Sequence, residues 1–525
     1  MSDDPFNLLT EPWIPVRPLG SPGLRLVGIR EALAQAREFT GIEDASPLQT
    51  VAMYRLLLAV LHRALMGPKR LDDVKTWWAQ GFPANELDAY FQKYGPRFEL
   101  FGEQPFMQVA DLPLEGFQQS WERLGAEVGG GNTTLLFNTA RRTGHIPAAL
   151  TPADAARRLL EHQTFALGGL TKKFTTAAIG APSATSALIM ARGETLHETL
   201  CLNLVPYMQG TEHDTPPWER APLTAADIQR FYPGKDKLAQ PVYGLAQGYA
   251  WQGRSVRLER EDGNEVRFLA YAEGVPPDMG KGWRDPMVAL RILKDGTPYP
   301  MKLSAERLFW RDFEAVVPSH ARQTYLDQHD KARTSPGSPP LVLEHATELY
   351  DRLERTGTPI PLLVFGQIND QGKIEMWRAE SYTLPTSARQ DTVYQFIPEA
   401  LDRARDTRDA LSHALRGLAS RLLSAGGREA HKDDISKLAR SLGAEQLYWS
   451  RLEDSFRAFL QGISSDSEAE QELAMTRWSV ALAGVAQFAW EAAKQSAGDD
   501  ARAMRAKYES EGYLMKHLNE LRKGA

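Results

Sequence analysis

The sequence predicts an α+β protein, with a large mixed α/β domain over residues 1–385 and an all-α four-helix bundle over residues 390–525. Three observations carry this. At 525 residues the chain exceeds what one hydrophobic core accommodates. Up to Pro385, short strand-like runs bounded by Pro, Gly and Asn/Asp turns alternate with helical patterns. Beyond Pro385 the strand signals vanish and Ala, Leu, Arg and Glu dominate.

Composition narrows the class. Hydrophobic content of 42% and charged content of 24% are those of a soluble globular protein. The single cysteine, Cys201, excludes intramolecular disulfides and a multi-thiolate zinc site. No apolar run approaches the ~20 residues that span a bilayer, and Met1-Ser2-Asp3-Asp4 lacks the basic start of a signal peptide. A cytoplasmic location is the expectation. The net charge of −6 argues against a general nucleic-acid coater. Between Asn138 and Thr176, however, Arg141, Arg142, Arg157, Arg158, Lys172 and Lys173 face only Asp154 and Glu161, a local balance of +4. That suits a polyanion contact confined to one patch, or else a solvated helix face and two loops.

In chain order, Phe6-Asn7-Leu8-Leu9-Thr10-Glu11-Pro12-Trp13-Ile14-Pro15-Val16 carries two prolines and reads as extended or edge strand. Thr50 to Leu65 has apolar residues at helical spacing and predicts a buried helix. Arg97 to Phe101 and Pro105-Phe106-Met107-Gln108 predict short aromatic core segments. Gly129 to Thr134 is a flexible loop that leads into Leu135-Leu136-Phe137-Asn138. Thr151-Pro152-Ala153-Asp154 opens a helix, with an N-cap, proline at the first helical position and a carboxylate near the positive end. That helix is expected to end near Gln163. Gly168 to Thr176 then forms a second loop, in which small residues beside lysines and hydroxyls suit a phosphate backbone.

Residues 240–315 read as strands. Tyr249 to Leu258 is strand-like, with arginines placed to reach solvent or a partner, and Leu290 to Thr297 predicts a strand entering a turn with Lys294 at its tip. Leu362 to Phe365 predicts a strand buried on both faces, and Lys373 to Trp377 a half-buried one. Asn369-Asp370-Gln371-Gly372 between them has hairpin-turn chemistry, so Gln371 projects from a two-stranded stem. In the helical part, Leu411, Leu415, Leu418 and Leu422 form one stripe, and Trp478, Leu482, Val485 and Ala489 another. Gly426-Gly427 and Ser464–Ser467 break the pattern, and Ala501 to Lys523 supplies the last amphipathic helix.

Catalytic constellations are absent from the pattern. Gly280-Lys281 is no P-loop, because five residues separate Gly274 from Gly280 and Gly282 stands where Ser or Thr is needed. Neither Gly-x-Ser-x-Gly nor His-Glu-x-x-His occurs. His329-Asp330 lacks the paired histidines of a metal phosphohydrolase and reads as a surface pair. His162 reads as a core or capping histidine rather than a base. No catalytic residue, metal or cofactor is expected.

Taken together, these landmarks resemble the CasA family, the large subunit of the type I-E CRISPR Cascade surveillance complex. The opening Phe6 to Val16 stretch is similar to that family's N-terminal signature. Arg97 to Phe101 with Pro105 to Gln108, the Trp251-to-Leu258 arginine strand and the 362–377 hairpin follow in family order. The resemblance covers almost the whole chain, although the helical C-terminus matches by texture only. It implies a non-enzymatic subunit that recognises the PAM in duplex DNA and opens the duplex to start R-loop formation. It also implies help in holding the displaced strand and in recruiting the nuclease-helicase. Other Cascade subunits, guide crRNA and PAM-containing double-stranded DNA are the implied partners.

Carried over position by position, the family's wedge turn falls on Asp370-Gln371-Gly372 beside Asn369, with Gln371 entering beneath the PAM. Its minor-groove lysine falls on Lys294. Its glycine-rich backbone loop falls on Lys172, Lys173, Phe174, Thr175 and Thr176, and its guide-handle contact on Phe137 and Asn138. Three departures stand out: Asp370 replaces an amide, the 172–176 loop lacks the family's glycines, and Cys201 alone cannot supply the paired cysteines of some members. The alternatives are a scaffold that touches RNA or protein without reading a PAM, and a metal nuclease centred on His329-Asp330.

Overall fold

The structure, a computed structural model, describes residues 5–523 apart from 126–146, 208–212, 235, 279–282, 293–296, 319–324, 327–331, 334–336, 356, 371–372, 386–390, 425–429 and 466. Mixed small sheets and helices are followed by an all-helical C-terminal region, as the sequence predicts. The chain forms two interleaved compact units. One comprises Met1–Ala305, Ser338–Glu354 and Pro361–Ser381; the other comprises Glu306–Gly337, Arg355–Ile360 and Tyr382–Ala525. Among the described residues no helix is long and apolar enough to cross a membrane.

In the first unit, the proline-flanked opening becomes the strand Ile14–Pro18, central in an antiparallel sheet between Arg25–Val27 and Phe39–Ile42. The preceding turn is fastened by side chains. Trp13 Nε1 donates to Leu8 O at 2.8 Å, and Asn7 Nδ2 donates to Glu99 Oε1 at 2.8 Å and to Gly95 O at 3.0 Å. The Arg97–Phe101 stretch therefore packs beneath the N-terminal signature, where Phe98 and Phe106 stack at 5.3 Å. The predicted buried helix spans Pro47–Ala64, begun by Pro47 at the first position and by Ser46, whose hydroxyl accepts from Gln49 N. Inside this unit the buried Arg55 pairs with buried Asp285 at 2.8 Å.

A second sheet places Val266–Glu273 between Gln118–Ser120 and Arg254–Arg260. Here the reading of 240–315 as strands is corrected at both ends, since Phe309–Val316 forms a 3-10 helix and the segment before Trp251 is helical too. Tyr249 closes a short helix, Leu245–Tyr249, because the carboxylate of Asp214 caps it from a distance, accepting from Ala246 N at 2.9 Å and Gln247 N at 2.7 Å. A third sheet orders Leu188–Ala191, Ile360–Asp370 and Lys373–Leu384 side by side.

Among the described residues, the second unit is helical beyond Leu384 apart from short connections. Three long helices, Phe396–Leu423, Glu468–Ser496 and Ala501–Lys523, carry the predicted stripes inward; Leu411, Leu415, Leu418, Trp478, Leu482 and Ala489 are all buried. The remaining limb of the bundle is three short helices, Lys432–Ser441, Ala444–Ser450 and Glu453–Ile463. Gly443 interrupts it, with a left-handed φ of 69° and its amide bonded back to Arg440 O. Trp310 fills the core, with ring centroids 5.0 Å from Phe456 and 6.0 Å from Trp478.

Candidate nucleic-acid interface

The hairpin is a long antiparallel stem. Its first strand, Ile360–Asp370, runs 11 residues, and its second, Lys373–Leu384, runs 12. The stem is rigid because its first strand is a central one. Leu362, Leu363, Val364 and Phe365 pair with Ala191, Met190, Ile189 and Leu188. Leu362 and Val364 are fully buried on one face, and on the other Leu363 is half-buried and Phe365 buried, so the apolar run is continuous rather than alternating. Arg378 on the return strand donates to Ser304 O at 3.1 Å and approaches Glu380 at 3.2 Å. Asn369 is half-buried near the end of the first strand, and Asp370 closes it. Gln371, Gly372, Lys294, Phe137, Asn138, the Gly129–Asn132 loop and His329-Asp330 lie outside the described residues.

One polar residue breaks the apolar strand. Gln367 is 2% exposed, and its Nε2 donates to Phe165 O at 2.6 Å and Ala184 O at 2.7 Å. Phe165 ends the helix Pro152–Phe165, which starts at the predicted Thr151 cap and runs two residues beyond the expected Gln163. Gln367 therefore ties the hairpin to the segment that carries the backbone loop.

That loop is itself a small hairpin. Gly169-Leu170 pairs with Ala178-Ala177, and 171–176 forms its tip. Lys172 is exposed and adopts a left-handed φ of 60°. Lys173 Nζ donates to Gly116 O, and its ammonium lies 5.0 Å from the Phe117 ring centre. Phe174 is half-buried and packs on Phe117 and on the core of Val109, Leu112, Ile228 and Tyr232. Thr175 is half-buried and Thr176 exposed.

Two of the loop's amides are engaged by the protein. The buried carboxylate of Glu273 accepts from Lys173 N at 3.2 Å and Phe174 N at 2.9 Å. Successive amides of this kind form an anion-binding nest, and here the nest holds the protein's own anion. What the loop presents outward is the Lys172 ammonium and the Thr176 hydroxyl.

The positive patch is correspondingly thinned. Arg157 pairs with Asp44 at 3.1 Å and with Asp154, and Arg158 lies 4.7 Å from the Trp121 ring centre. Of the four described cations in the patch, Lys172 is the exposed one. Arg254, expected to reach outward, is instead buried: it donates to Leu167 O at 2.5 Å, Ile179 O at 2.8 Å and the Tyr271 hydroxyl at 3.1 Å. His162 meets the same hydroxyl at 2.9 Å, and burial, followed by the nearby Arg254 charge, pushes its pKa down to about 3. It stays neutral and structural.

Gln367, Arg254 and Glu273 are the buried polar residues fastening this region that the sequence alone does not single out. The available signals are a glutamine inside an apolar run and charged residues in a buried sheet.

The sequence matches the family profile described as CRISPR-associated protein Cse1 over residues 7–489. It is 38% identical over 525 residues to the CRISPR-associated protein CasA/Cse1 of Thermus thermophilus, covering 98% of each chain. The fold is similar to the crystal structure of Thermus thermophilus CasA, with a TM-score of 0.84 and 38% identity over 98% of this chain and 100% of that one. A chain of a structure described as a CRISPR RNA-guided surveillance complex shares the fold at a TM-score of 0.74 and 19% identity, over 98% of this chain and 99% of that one. The chain belongs to the CasA/Cse1 family, the large-subunit family of the type I-E CRISPR Cascade.

Proposed function

We propose that this chain is the non-catalytic subunit of an RNA-guided surveillance complex that reads the PAM through the minor groove and wedges the duplex open. The observation that carries this is the 360–384 hairpin, a sheet-anchored stem whose first strand is largely buried and whose strands flank Gln371 and Gly372 in sequence. Its return strand is exposed at Glu375, Met376 and Trp377 rather than half-buried as expected. A wedge must not yield when it meets stacked bases, and a central strand meets that demand.

Gln371 would enter beneath the PAM, Lys294 would lie in the minor groove, and Asn369, Asp370 and Gly372 would shape the tip. The 172–176 loop would hold the phosphate backbone, and Phe137 with Asn138 the guide handle. Minor-groove edges separate mainly A·T from G·C, so such a reader tolerates several PAMs. Unstacking one step costs a few kcal/mol, while exchanging DNA duplex for guide heteroduplex is nearly balanced. A modest wedge suffices. Other complex subunits, guide crRNA, PAM-bearing duplex DNA and the recruited nuclease-helicase are the partners in this proposal.

The test is R-loop formation by the assembled complex carrying Gln371→Ala or Lys294→Ala. Both are expected to slow opening on PAM-containing duplex, by about tenfold if each removes ~1.4 kcal/mol of transition-state contact. Wild-type rates in both would leave the chain as a scaffold that touches RNA or protein alone.

A further inference from the structure

The segment bearing Lys172–Thr176 leaves the fold at Phe165 and returns at Ala184, and its neck is closed by successive rungs. Gly169 and Leu170 pair with Ala178 and Ala177, and Ala181 N donates to Ala166 O at 2.8 Å. Two more rungs are side chains from distant elements. Arg254 bridges Leu167 O and Ile179 O from the second sheet. Gln367 bridges Phe165 O and Ala184 O from the wedge stem.

Gln367 uses one nitrogen for both carbonyls, and its buried Oε1 meets no hydrogen-bond donor among the described residues. With two carbonyl acceptors on one end, the orientation of the amide is determined. The two bonds donated by Gln367 satisfy one carbonyl on each side of the neck. Its two protons join elements more than 180 residues apart in sequence. Gln367 also stands three residues before Asp370, the last residue of the strand, about 10 Å along it at ~3.3 Å per residue. Stem and loop neck are thus linked within one short lever.

The geometry points to Gln367 as a positioning residue that locks the wedge hairpin to the backbone loop, so that both meet DNA as one body. It presupposes that hairpin and loop both touch DNA. Seating the loop on a phosphate then sets the height at which Gln371 enters, and the two contacts become energetically coupled. Packing alone would hold each element in place without making one contact depend on the other.

The experiment is a double-mutant cycle on R-loop rates in the assembled complex. Gln371→Ala, Lys172→Ala and their combination are measured with Gln367 intact and again with Gln367→Met, which keeps the volume and removes both donors. With Gln367 present, the double variant should deviate from the product of the single effects by about fivefold or more; in the Gln367→Met background it should agree within about twofold. Non-additivity of equal size in both backgrounds overturns the proposal, as does additivity in the first. Single variants with no effect at all would instead sink the DNA-contact reading, and the coupling with it. A second measurement on the free full-length chain requires no assembly. Gln367→Met should speed hydrogen exchange at the Ala181 amide by about tenfold through local opening of the neck, and unchanged exchange there overturns the anchoring.

Discussion

At the scale of single residues, Glu273 decides which groups the 171–176 loop presents outward. Its buried carboxylate already accepts the amides of Lys173 and Phe174, so charge on Lys172, rather than backbone donors at 173 and 174, is what reaches outward. Hydrogen bonds to an ionised group contribute about 1.5–3 kcal/mol each. Glu273→Ala is therefore expected to lower urea stability by about 2 kcal/mol and to weaken duplex binding alike on every PAM. Undiminished stability, or a loss confined to some PAMs, would contradict this. The exposed Lys172 was legible from Gly168-Gly169-Leu170-Thr171-Lys172-Lys173, because small residues and lysines state their own preference for a surface loop. The hold of Glu273 was not, since 99 residues separate it from Phe174. Arg254 was misplaced for the same reason: nothing in its neighbours reveals that the carbonyls of Leu167 and Ile179 converge on it.

At the scale of elements, what is local was legible and what is capped or packed from afar was not. Thr151-Pro152 announces its helix because cap and first turn are adjacent in sequence. The Leu245–Tyr249 helix escapes notice because its cap, Asp214, lies 32 residues before Ala246. The bundle's stripes were legible from their 3.6-residue period, whereas the first of the two breaks that divide one limb into three short helices depends on the left-handed Gly443. The wedge stem shows the same division between pattern and packing. Its apolar run is plain, but Gly366 is required by close approach: an added Cβ would lie 3.0 Å from Leu303 Cδ1 and 3.2 Å from Ser186 O. Leu303 can give way and the carbonyl cannot. Gly366→Ala should destabilise the protein by about 1–2 kcal/mol through overpacking, visible as a lower thermal midpoint. An unchanged midpoint would show that the stem slides on its neighbour and is a poor wedge.

At the scale of the whole molecule, stability should carry a signature of the buried His62 and the half-buried His162. His62 and His162 are held neutral, each pushed down to about 3, principally by burial. Unfolded, they titrate near 6.5, so the unfolded state binds more protons between these values and stability rises with pH there. Their contribution is complete above about pH 6.5 and is lost as pH falls toward 3. The slope is up to about 1.4 kcal/mol per pH unit for each histidine. Denaturant midpoints at pH 7, 6 and 5 should decline in step, and replacing His162 by Gln should make the decline shallower without abolishing it, since His62, His197 and His345 are also pushed down by burial. A flat wild-type profile would refute the assignment. Interleaving of the units has another consequence, for anyone taking the protein apart. Trp310 belongs to the helical unit but is encoded well before the first helix of its bundle, where it meets Phe456 and Trp478. No single scission of the chain separates the units cleanly, and a fragment that begins at residue 390 is a bundle deprived of its own central indole.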